Sequence, residues 1–108
     1  MFNLPVYILV LCTAYTASFD ECGKTDGITA SGAKATINRT VAADDLPLGT
    51  RIRINGQEYV VEDRFGGGYK NRIDIYVDTK EKAYQYGRQY NFIEIIKEEN
   101  NYAQRLPT

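Results

Sequence analysis

The stretch RIRINGQEYVVEDRFGGGYKNRIDIYV, residues 51–77, decides how the chain is read. Ile52 and Ile54 alternate with Arg51 and Arg53, Asn55-Gly56 suits a type I′ turn, and Tyr59 to Val61 return as the second arm of a hairpin. Asp63 ends that run, Gly66-Gly67-Gly68 follow, and Asp74 stands between Ile73 and Ile75 in a second strand over 72–77. An unpaired charge buried in an apolar run is costly, so Asp74 needs either a partner or a chemical task. The glycines alone say little. They lack the Gly-Lys-Ser/Thr ending of a phosphate loop, and suit a crossing where backbone nears backbone. On residue types alone the favoured reading of Asp63 and Asp74 is structural, as caps or as partners of Arg64 and Arg72.

Outward from this centre, Val6 to Thr13 is rich in β-branched and aromatic residues and reads as a first strand. ASFDECGKTDG (17–27) is loop-like, and KATINRTVAAD (34–44) is a strand or strand pair entering a turn at Pro47–Gly49. Asp78-Thr79-Lys80-Glu81 has the acidic cap and third-position Glu of a helix start. That helix is expected to run to about Arg88 and to bury Ala83 and Tyr84, with Gly87 a further candidate. NFIEIIK (91–97) closes as a strand, and 98–108 is a polar tail expected to fray. About six strands and one short helix favour a small β-barrel over a two-layer sandwich. We expect a single domain over 1–108, with the barrel over about 6–97.

Composition narrows the function classes. Thirteen basic and 14 acidic residues leave a net charge of −1, without the basic footprint of a nucleic-acid binder. The chain has no histidine, which excludes Ser-His and Cys-His catalysis and every histidine-based metal site. Cys12 and Cys22 are too few for a zinc or iron–sulfur site, so no metal and no cofactor is expected. They read equally well as one disulfide or as two free buried thiols. LPVYILVLC (4–12) is too short to span a membrane and has no basic residue before it. It reads as a buried strand, so no export signal and no membrane insertion are expected.

The order of the pieces carries more than any one of them. TAYTAS (13–18), GITASG (27–32), RTVAAD (39–44), LPLGT (46–50), VEDRFGG (61–67) and NRIDIYV (71–77) follow one another along the chain. Together they resemble the three-aspartate domain family of cell-wall muralytic proteins. They are also similar to the catalytic barrel of membrane-bound lytic transglycosylase A. The resemblance implies a mainly β fold, a six-stranded double-psi β-barrel with a sugar-binding groove. It places the family's three aspartates on Asp44, Asp63 and Asp74, with Asp45 the alternative for the first. It makes Asp74 the catalytic acid and Asp63 its supporting partner. Thr13 and Tyr15 match a Thr-x-Tyr at the groove, and Asp44, Gly66, Gly67 and Tyr69 are the further substrate-binding candidates. Arg64-Phe65 and Gly68-Tyr69 depart from the family pattern and would narrow or re-aim the groove.

The activity implied is lytic cleavage of the MurNAc–GlcNAc bond of peptidoglycan, giving a 1,6-anhydromuramoyl product. One carboxyl group, acting as acid and then base, is enough for it. Partial desolvation between Ile73 and Ile75, and repulsion from Asp63, would favour the neutral acid. The rival readings are an expansin-like binding barrel without catalysis, a two-carboxylate hydrolase and a purely structural barrel. The expected partner is a glycan strand met by a monomer at the cell wall, whether the protein is extracellular or phage-encoded.

Overall fold

The computed structural model describes residues 5–17 and 27–96. Six strands close a barrel: β1 (Val6–Tyr15), β2 (Thr40–Ala42), β3 (Arg51–Ile54), β4 (Gln57–Asp63), β5 (Arg72–Tyr76) and β6 (Gln89–Ile96). Their order around the wall is β1-β5-β2-β4-β3-β6. β1 pairs parallel with β5, β2 pairs parallel with β4, and the other pairings are antiparallel. This order is unchanged when β1, β2 and β3 are exchanged for β4, β5 and β6. The barrel is therefore two interlocked halves, the double-psi arrangement. Closure leaves the sheet without a free edge.

Strand parity builds the interior. Val10, Cys12, Val41, Ala43, Ile52, Ile54, Val61, Ile73, Ile75 and Ile93 form one buried cluster, which Ile8, Leu46, Tyr59, Tyr86 and Ile95 flank. β3 and β5 alternate strictly, with Ile52, Ile54, Ile73 and Ile75 inside and Arg51, Arg53, Arg72, Asp74 and Tyr76 outside. The expected hairpin is present, with Asn55 and Gly56 both at positive φ (49° and 84°), as a type I′ turn requires. On the outer wall Arg53 reaches Glu94, which faces it across the β3–β6 ladder, at 2.6 Å.

Three expectations are corrected. The helix, α1 (Lys80–Tyr86), is capped by Thr79, whose hydroxyl accepts from the Lys82 amide at 3.1 Å, not by Asp78. Asp78 instead pairs with Lys82 one turn on. Tyr84 is 82% exposed, and Tyr86 is the aromatic that packs on the core. Gly87, at φ 67°, is exposed and ends the helix. The segment 34–44 holds only the short β2 as a strand. Before it, residues 27–35 form a tight loop joined by the Ile28–Lys34 bridge.

Cys12 is a fully buried free thiol whose proton burial holds in place, against weaker lowering contacts from Asn91 and Tyr86. Cys22 and the tail 98–108 lie outside the described residues. Among the described residues no helix is long and apolar enough to cross a membrane.

Candidate functional site

The parity that fills the core also answers the question raised by Asp74. Ile73 and Ile75 point inward, so Asp74 projects from the outer wall, half-buried rather than sealed in the core. In the parallel β1–β5 register it stands beside Thr13, whose Oγ1 donates to its Oδ1 at 2.8 Å. On its other side it stands opposite Ala42 of β2. Ala42 in turn stands opposite Asp63 of β4. Residues directly opposite one another share a face, so Asp74, Ala42 and Asp63 form a row across three strands. The methyl group of Ala42, 3% exposed, is the floor between the two carboxylates.

A bulge makes that row possible. Val41 faces Val61, but the next residue of β2, Ala42, faces Asp63, so Glu62 is the extra residue of β4. Bulges of this kind turn the following side chain to a new direction. Glu62 is held inside the protein. Its Oε1 accepts from Thr40 Oγ1 at 2.8 Å, and its Oε2 accepts from Arg39 Nε and Nη2 at 3.2 and 3.0 Å.

Asp63 gathers three segments. Its Oδ2 accepts from the Tyr15 hydroxyl at 3.0 Å, and its Oδ1 from the backbone N–H of Ala30 (3.1 Å) and Arg64 (2.9 Å). Tyr15 thus reaches from the end of β1 across the face to β4, with its ring edge-on to Tyr76 at 5.6 Å. Burial, above all, and then the charge of Asp63 and its hydrogen bond push the Tyr15 phenol far above its ordinary value, with Asp74 and Tyr76 adding to the rise. Tyr15 is therefore a fixed neutral donor. A shallow pocket beside it is lined by Tyr15, Ala17, Ile28, Thr29, Ala35 and Asp63.

Asp44 is engaged by the glycine loop. Its Oδ1 accepts from the amides of Phe65 (2.8 Å) and Gly66 (3.0 Å), and its Oδ2 from those of Gly67 (3.1 Å) and Tyr69 (3.0 Å). Asp45, the alternative first aspartate, accepts from the Asn71 amide at 2.9 Å. Arg64 ties the start of the loop to the carbonyls of Ala43 and Leu46. The amides of Gly66, Gly67 and Tyr69, three of the substrate-binding candidates, are thus turned to Asp44. A Cβ on Gly67 would lie 2.6 Å from Tyr69 Cε2, so any larger residue there would push the tyrosine ring from its present place.

Desolvation works against ionisation of Asp44, but the four amides together outweigh it and hold its carboxyl below the usual range. A carboxyl depressed in the fold stabilises above its unfolded pKa, and that stability is lost as pH falls through the folded pKa. Urea midpoints of wild type should fall as pH drops from about 4 toward 2, and the fall should be shallower in Asp44→Asn. Exposed Asp78, lowered chiefly by its Lys82 hydrogen bond, adds a small screened share to both.

Glu62, Arg39 and Ala42 support this region but are not among the residues the sequence singles out, whereas Arg72 is. Arg72 lay within reach, since it shares the parity of Asp74. Glu62 did not, because a bulge breaks the two-residue period. Among the described residues no group of three or more Cys, Asp or Glu side chains is placed to hold a metal ion.

A closed double-psi barrel with aspartates at the loops and strands of one region defines the class. No family model matches the sequence. The chain is 33% identical over 93 residues to YabE of Bacillus subtilis (strain 168), whose name describes a cell wall shaping protein; the match takes in 81% of this chain and 22% of YabE. The fold is similar to that of MltA from E. coli, with a TM-score of 0.54 at 21% identity over 71% of this chain and 29% of MltA. The chain thus spans less than a third of either protein. The barrel is MltA-like, and both likenesses support the three-aspartate, MltA-like family that the ordered motifs resemble.

Proposed function

We propose that this barrel is a peptidoglycan lytic transglycosylase acting at the cell wall, with Asp74 as its acid and base. The observation that carries the reading is the row Asp74–Ala42–Asp63, in which one hydroxyl holds each carboxylate: Thr13 on Asp74 and Tyr15 on Asp63. The likeness to YabE and MltA supports a cell-wall glycan as substrate.

Asp74 protonates the glycosidic oxygen as the bond from muramyl C1 breaks and positive charge develops on the ring. The muramyl C6 hydroxyl then bonds to C1 and gives its proton to the Asp74 carboxylate, which restores the acid. No water is consumed. Asp63 is a positioning residue here. Its three accepted hydrogen bonds tie β1, the 27–35 loop and the start of the glycine loop together, a poor arrangement for a base that must activate water. That favours single-acid chemistry over a two-carboxylate hydrolase. Asp44 likewise positions, by shaping the loop that carries Phe65 and Tyr69.

The test is digestion of purified peptidoglycan followed by borohydride treatment and mass spectrometry. Fragments that resist reduction and are one water lighter than hydrolytic ones are the expected product. Reducible fragments would replace the reading with hydrolysis. Retained wall binding without any soluble fragment would replace it with an expansin-like module.

A further inference from the structure

Arg72 lies two residues before Asp74 in β5 and on the same outer face, about 7 Å along the strand. Its guanidinium carbon sits 5.1 Å from the centre of the Phe65 ring and 4.9 Å from that of Tyr69. The two rings meet edge to face, 5.4 Å apart. The guanidinium thus lies against both rings, and its five N–H donors lie in its own plane. The Arg72 side chain makes no hydrogen bond or ion pair with another described residue, and its Nε is buried without an acceptor. Arg51 and Arg53 in β3 each face a carboxylate instead.

This arginine is built to be rigid. Asp44 fixes the backbone of the loop that supplies both rings, and Gly67 leaves room for Tyr69 to close on it. A guanidinium held in place loses little freedom when an anion arrives, and its planar fork matches a carboxylate. We infer that Arg72 is the anion-recognising residue of the glycan groove, taking a carboxylate carried on the muramyl residue next to the bond that Asp74 acts on. The inference rests on the peptidoglycan reading. Two sources share that chemistry: the lactyl carboxylate of a peptide-free glycan, and the carboxylates of a stem peptide. Chitin, built from N-acetylglucosamine alone, has neither.

The test is calorimetric titration of the Asp74→Asn protein, which leaves the probes uncut, with and without Arg72→Gln or Arg72→Lys. The probes are chitohexaose, a peptide-free MurNAc–GlcNAc hexasaccharide, and the same hexasaccharide bearing stems. The muramyl probes should bind about tenfold tighter than chitohexaose. Arg72→Gln should remove that preference while leaving chitohexaose within about twofold, and Arg72→Lys should keep part of it. A preference confined to the peptide-free or to the stem-bearing probe assigns the source of the carboxylate. A preference that survives Arg72→Gln, or an equal loss for neutral and anionic probes, would overturn the inference and leave Arg72 as a brace. Anhydro products from wild type alongside either result would leave the glycan reading standing. No binding of any probe by either protein would overturn both.

Discussion

Asp74→Asn should lower the rate of glycan cleavage by about 10²–10⁴-fold, the range that proton transfer from a placed acid supplies, with little change in thermal stability. The substitution keeps size and shape, and the amide oxygen can still accept from Thr13 Oγ1. Because Asp74 projects from the outer wall, Ile73 and Ile75 keep their places in the core. What is removed is the proton. Release of soluble fragments from purified walls, measured beside a circular-dichroism melt, separates the possibilities. A large fall in midpoint that tracks the loss of rate would make Asp74 a structural residue.

Glu62→Ala should have the largest effect on the fold, destabilising it by about 2–3 kcal/mol and lowering the melting midpoint by roughly 10–20 °C. Glu62 is 4% exposed, so its charge is tolerated only because Arg39 and Thr40 meet it. Removing the carboxylate leaves the fully buried Thr40 hydroxyl without its acceptor and opens a cavity at the bulge. Arg39 is largely exposed and regains water, which keeps the effect below that of an orphaned buried charge. Glu62→Gln retains an acceptor for Thr40 and should lose less than half as much. Equal stability of Glu62→Ala and wild type would mean that the bulge is held by the backbone alone. Since the bulge aims Asp63, the destabilised variant should also lose activity at temperatures where it remains folded.

What the sequence made legible follows from local periodicity. The hairpin at Asn55-Gly56 and the inward Ile73 and Ile75 follow from alternation, and the same alternation places Asp74 outside. Asp74 therefore sits between isoleucines because a strand has two faces, whatever its acidity. The ordered motifs and the family they resemble supplied the double-psi barrel. The remainder depended on contacts far apart in the chain. Tyr15 and Asp63 are 48 residues apart, and Asp44 meets the glycine loop 21 to 25 residues later. Neither pairing has a local signature. The seven-residue helix is too short for an apolar stripe to declare itself, so Tyr84 and Tyr86 look alike in sequence although only Tyr86 packs on the core. Glu62 is hidden for a different reason: a bulge is a property of two strands together, and only the partner strand β2 reveals the extra residue.

Digestion of peptidoglycan in ¹⁸O-labelled water decides whether Asp74 directs cleavage without water. Wild type should form muramyl ends free of label and one water lighter than hydrolytic ends, and Asp74→Asn should form none. Muramyl ends carrying one ¹⁸O would contradict cleavage without water, since they would show that water and not the C6 hydroxyl attacked the sugar.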